Sequence, residues 1–157
     1  MTYSWLKFLH IAAVFALLGT HGVSMTVLYA IRKERDRAKI LALIAVSGQS
    51  IIPMYVSIGA VVVFGAILWF KFYTLGTTWL WLAVVLLIAT IGLMTAIAKP
   101  YFARVKEACQ LRPSGVPRVS DEELGEVLNS SKAHLITAIG VIGLAAVLYL
   151  MIFKPKL

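Results

Sequence analysis

The sequence predicts an all-α fold: a polytopic membrane four-helix up-and-down bundle with short cytoplasmic interfacial helices. Three observations carry this expectation. Of 157 residues, 61% are hydrophobic and 14% charged, whereas soluble domains are about half apolar and about a quarter charged. Four stretches, about 3–31, 51–72, 77–98 and 133–153, each reach the roughly 20 largely apolar residues that cross a bilayer. All seven carboxylates lie outside those stretches. The expected organisation is a single integral membrane domain over residues 1–157.

The first span opens with "WLKFLHIAAVFALLG". Its apolar stretch is longer than that of a secretory signal, it has a single early lysine, and "GTHGVS" is a poor cleavage site, so it is read as a retained helix. The basic segment "IRKERDRAK" follows. Next comes "AKILALIAVSGQS", ahead of Pro53. Joined to the second span, this stretch would exceed one crossing. Proline removes a backbone donor and disfavours helix in the residue before it. A helix over about 36–48 at the inner interface, followed by the second span, is expected; a continuous helix through a kink is the alternative.

The connection "KFYTLGTTWLW" is short, which makes the second and third spans antiparallel neighbours. Trp69, Phe70, Tyr73, Trp79 and Trp81 there fit an interfacial aromatic belt. The third helix should continue past the membrane through "AKPYFARVKEACQL", kinked at Pro100, with Tyr101, Val105 and Ala108 on one side. "RPSGVP" ends it. "SDEELGEVL" predicts a new short helix with Ser120 as N-cap and Glu123 completing a capping box. Small residues at Ala12 and Ala16, at Gly92 and Ala96, and at Gly140 and Gly143 should let helices approach closely in lipid.

The net charge of +8 is distributed unevenly. Eleven basic residues lie in the two segments 32–39 and 99–132, and four (Lys7, Lys71, Lys154, Lys156) lie at the other side. This asymmetry predicts a bacterial cytoplasmic (inner) membrane protein with both termini outside and its basic loops cytoplasmic. The expected partners are the lipid bilayer, including anionic headgroups, and other membrane subunits or further copies of the chain. No basic surface interleaved with aromatics suggests nucleic acid. Cys109 is the single cysteine, so neither an intramolecular disulfide nor a thiolate cluster can form.

Two of the three histidines, His10 and His21, fall within the first span. Eleven residues apart, they face nearly the same direction and are separated by roughly 16 Å along a helix axis. One metal or haem cannot use both. Ionisable residues in spans are costly and tend to mark function, and a proximal histidine often holds haem iron. The competing reading is a neutral histidine that bonds a neighbouring carbonyl and serves packing. By depth, His10 is level with about 64–69, 79–85 and 145–151, where no second histidine lies. His21 is level with about 54–58, 90–94 and 137–141, where Met54 or Met94 could supply a thioether. His134, at the start of the fourth span, is too far from His10 for a bis-histidine haem. Any haem iron on His10 would be five-coordinate, His/Met, or shared between subunits.

Other chemistries are excluded more simply. Three scattered histidines do not converge for zinc or copper. No span carries a carboxylate to relay protons. No P-loop, dinucleotide fingerprint or nucleophile motif is present. Lys99 reads as a snorkelling boundary residue. No catalytic residue is assigned, and enzymatic activity is the less expected outcome.

"WLKFLHIAAVFALLG", with its Leu-His pair early in the first helix, resembles a family of predicted bacterial four-helix integral membrane proteins of unknown function. "RKERDRAKILAL" and "AKPYFARVKEA" fit that family's layout. More distantly, the chain is similar to copper-resistance D type membrane domains and to haem-containing bacterial protoporphyrinogen oxidase. The resemblance covers about the first 110 residues and rests on hydropathy and one histidine. It implies that His10 is the axial haem ligand. The haem-containing relatives also use a lysine on the third helix. The one comparable residue, Lys99, lies at the opposite membrane face from His10, which departs from the oxidase pattern.

The expected function is therefore a small membrane protein binding haem b or a related porphyrin pigment in a redox, electron-transfer context. His10 and His21 are its candidate ligands, with Met54 and Met94 as candidate partners of His21. The alternative is a non-catalytic accessory subunit of a respiratory or photosynthetic membrane complex.

Overall fold

The computed structural model describes residues 2–155, and 83% of these are helical. Six helices follow one another: α1 (Thr2–Lys33), α2 (Arg37–Gln49), α3 (Ile51–Phe72), α4 (Thr78–Ala108), α5 (Asp121–Leu128) and α6 (Lys132–Phe153). The all-α class expected from composition is what forms. Four helical stretches, Thr2–Lys33, Arg37–Phe72, Thr78–Ala108 and Asp121–Phe153, are long and apolar enough to cross a membrane. Tertiary packing gathers the chain into two compact units. One comprises residues up to Val27 together with Ala45–Thr77; the other comprises Leu28–Ile44 and the chain from Thr78 onward.

In the first unit α1 and α3 run antiparallel. The edge-on rings of Tyr3 and Phe72 (centroids 4.8 Å apart), the His10–Val61 pair and the Ser24–Ser50 pair descend α3 as they ascend α1. Ala13, Leu17 and Val61 form the buried contact, with Val14, Met54, Ile58 and Ala60 packed around it. The break between α2 and α3 falls at Ser50, close to the expected end near residue 48. Pro53 is the third residue of α3, in the first turn, where its missing N–H would have had no intrahelical partner.

Three hydroxyls brace that break. The Ser50 hydroxyl donates to the Ser47 carbonyl at 2.7 Å. Its single proton being used, Ser24 donates to Ser50 Oγ (3.2 Å), and Ser47 in turn donates to Ser24 Oγ (3.1 Å). Every hydroxyl proton of the trio is thereby placed, as half-buried polar groups require.

The second unit holds the most deeply buried part of the chain. Tyr101, Val105 and Ala108 line one face of α4 beyond Pro100, as their spacing predicts, and α5 packs on α4 with Leu124 and Leu128 buried. Ile31, Ile40 and Ala133 are fully buried in the same unit. The Tyr101 hydroxyl donates to the Leu128 carbonyl at 3.2 Å. Ser120 caps α5 as expected, accepting the Glu123 N–H at 3.1 Å. Asp36 caps α2 in the same way, its Oδ1 accepting from the N–H of Ala38 at 2.9 Å.

Arg37 ties this unit's loop down. Its guanidinium donates to the carbonyls of Ala108 and Val119 and pairs with Asp121 at 2.6 Å. The stretch from Cys109 to Ser120 is thereby fastened to the first turn of α2. Further along, α4 and α6 meet where Gly143 faces Thr90. A Cβ on Gly143 would sit 2.6 Å from Thr90 Cγ2, so only glycine permits this approach.

Of the three small-residue pairs, Gly140 and Gly143 are buried, in keeping with close packing. Ala12, Ala16, Gly92 and Ala96 are exposed instead.

Candidate cofactor site on the first helix

His10 lies about two turns into α1, facing α3. Its Nδ1 is 3.0 Å from the carbonyl oxygen of Val61. A carbonyl only accepts, so Nδ1 carries the proton and Nε2 holds the lone pair. The ring rests against Gly65: a Cβ there would stand 3.1 Å from Cε1 and 3.4 Å from Nδ1 of His10. Val61 and Gly65 are one turn apart on α3. The first provides the acceptor and the second provides the space, so one turn of helix sets the tilt and tautomer of the imidazole.

Metal-ligating histidines are held in this manner, with the second nitrogen donating to a carbonyl or carboxylate, which orients the ring and raises its basicity. Ala13 and Leu17 continue the same face of α1 as an apolar wall. The donor chemistry fits a single axial ligand. Among the described residues no group of three or more His, Cys, Asp or Glu side chains could hold a metal ion, so a metal cage made by protein ligands alone is not built here.

The other sequence-predicted ligands are placed differently. His21 is half-buried and makes no hydrogen bond among the described residues. The register of α1 on α3 sets it beside the first turns of α3, a little earlier than the 54–58 expected from depth. Met54 packs on the Leu17 cluster, about two turns or roughly 10 Å along α3 from Val61. It therefore belongs to the level of His21 and not to that of His10. Met94 is half-buried on α4 and belongs to the second unit.

His134 is exposed at the start of α6. Its Nδ1 is 3.4 Å from the Tyr29 hydroxyl and its Nε2 3.3 Å from the Arg32 guanidinium. Cys109 is buried, and burial pushes its thiol above the ordinary range, with nearby Arg37 opposing the shift. A protonated, enclosed thiol is a poor nucleophile.

Sequence reasoning did not single out Val61, Gly65 or the serine trio. Val61 acts through its backbone oxygen, which residue type does not reveal. Gly65 left a trace: it interrupts the apolar run "VVVFGAILWF", and an isolated glycine in such a run marks close approach.

No family model, no curated protein and no solved structure matches the chain.

Proposed function

We propose that this chain is an integral protein of a bacterial cytoplasmic membrane in which Nε2 of His10 serves as an axial ligand to haem b or a related porphyrin. The observation that carries the cofactor reading is the His10 Nδ1–Val61 bond, which commits one nitrogen and leaves the other basic and oriented. A ligated haem iron supplies one-electron chemistry. The protein's own part is positional. Val61 holds the ring, Gly65 gives it room, and Ala13 begins the apolar face of α1 one turn further along. With Met54 two turns away, no second ligand to the same iron comes from α3. Any further ligand to a haem held by His10 would then come from outside α3.

The membrane reading is supported by exposure. No more than 22% of the residues in any of the four apolar segments are buried, so much of their apolar surface is left uncovered by the described residues. Lipid tails satisfy such surfaces; water does not. The bundle would be up-and-down, with both termini outside and the basic segments cytoplasmic.

A second reading, a docking subunit of a larger membrane assembly, is favoured by the outward-facing pairs Ala12/Ala16 and Gly92/Ala96. Small exposed residues at helical spacing suit a partner helix. Both readings hold together if the assembly is the redox partner. The cofactor reading is tested by the absorption spectrum of the solubilised chain beside that of His10→Ala. Loss of a Soret band in the variant is the expected result; an identical pigment content removes His10 from the site.

A further inference from the structure

Arg32 and Arg37 sit five residues apart in one unit, yet their charges are handled differently. Arg37 is neutralised by Asp121, and that is the single ion pair among the described residues. Arg32 is half-buried and has no anionic partner among the described residues. It donates to two neutral acceptors, the Ser130 carbonyl at 2.9 Å and His134 Nε2 at 3.3 Å. Because a guanidinium only donates, that nitrogen of His134 must hold a lone pair, and the Nδ1–H is left for Tyr29.

Lys132 opens α6, and the first turn of that 22-residue helix contains no acidic residue. Ser131 at its N-cap makes no side-chain cap, so the first N–H groups lack a side-chain acceptor. The Ser130 Oγ beneath Arg32 is sealed from solvent and unpaired. A half-buried cation without a counter-charge, an uncapped helix start and an orphaned hydroxyl meet at one place. Each lacks the same kind of partner, an anionic oxygen.

We infer that the Arg32–Ser130–Lys132 cluster binds the phosphate of an anionic phospholipid headgroup. The source is a lipid because the cluster lies where α1 and α6 pass from apolar to basic sequence, which on the membrane reading is the depth of the inner-leaflet phosphates. The forked guanidinium suits two phosphate oxygens. Lys132 and the first N–H groups of α6 face the same charge. The inference rests on the membrane reading and is independent of the cofactor.

The test uses the full chain in a neutral detergent, with thermal unfolding followed on titration with phosphatidylglycerol, phosphatidylcholine or inorganic phosphate. The expected result is saturable stabilisation by phosphatidylglycerol, with little from the other two. Arg32→Gln should weaken the apparent affinity about fivefold, the effect of one cation at an anionic surface, and Lys132→Gln should do likewise. Arg104→Gln, on the exposed face of α4, should leave it unchanged. Each variant is compared with its own lipid-free midpoint, and Lys132→Gln removes charge without breaking the Arg32–Ser130 bond. Equal protection by phosphatidylcholine or by inorganic phosphate overturns the proposal, as does unaltered affinity in both Arg32→Gln and Lys132→Gln. A chain recovered from cells without detergent would instead overturn the membrane reading, before any lipid is titrated.

Discussion

The Nδ1 of His10 stands 3.0 Å from the carbonyl oxygen of Val61, 51 residues away in sequence. This bond joins α1 to α3 and fixes which imidazole nitrogen is free. The ring lies where residue 65 has no side chain, so Gly65→Ala should displace it by a few tenths of an ångström. The expected cost is about 1 kcal/mol in unfolding free energy, as for modest overpacking. Thermal or denaturant unfolding in detergent measures it, and a neutral Gly65→Ala would show that the ring is not held against this helix.

In the second unit Gly143 packs against the Thr90 side chain. Gly143→Ala drives a methyl group into the Thr90 side chain, and a loss of about 1–3 kcal/mol is expected. Thr90→Ala removes Oγ1 and Cγ2, and the double variant should recover much of that loss. Simple additivity in this double-mutant cycle would contradict the contact.

Arg37 and Asp121 should respond unequally to mutation. The Arg37 side chain is 12% exposed and that of Asp121 90%. An ion pair open to solvent on one side contributes little, so Asp121→Asn should cost less than about 1 kcal/mol. Arg37→Met also abandons the carbonyls of Ala108 and Val119, and about 2–3 kcal/mol is expected. Limited proteolysis should then cut within 109–119 in Arg37→Met and spare the wild type.

Cys109 links stability to alkaline pH. Burial raises the thiol's pKa in the folded chain, despite the opposing effect of Arg37. The folded state therefore keeps the proton more firmly than the unfolded state does. The resulting stability is complete below the ordinary thiol pKa of about 8.5 and declines as pH rises toward the folded value. Cys109→Ala should lack this part of the decline. Alkylation of wild-type Cys109 should be slow until the chain unfolds.

Much of the fold is legible in the sequence because lipid-length apolar runs, basic boundaries and capping residues each act locally. The apolar stretch expected at about 51–72 forms a helix, α3, at Ile51–Phe72. The Ser120 cap and the buried Tyr101, Val105 and Ala108 face follow from spacing alone. The candidate site is legible only in half. His10 stands out because a histidine in an apolar run is costly, but its acceptor is a backbone oxygen and its neighbour is a hydrogen atom on Gly65. The first has no side-chain signature, and the second shows only as a glycine interrupting an apolar run. The exposed Ala12, Ala16, Gly92 and Ala96 show the opposite difficulty: small-residue spacing signals a helix-packing face without saying whether the partner is in the same chain. Arg32 and Arg37 look alike in "RKERDR". Only the fold shows that one has a carboxylate and the other does not.

The most direct measurement is the absorption spectrum of the chain purified from its native membrane, oxidised and then reduced, alongside His10→Ala. A Soret band with reduction-sensitive visible bands in the wild type, lost in His10→Ala and kept in His21→Ala, is the predicted result. A wild-type spectrum showing only tryptophan and tyrosine absorbance would contradict it. The His10–Val61 bond would then stand as a polar fastening between two helices.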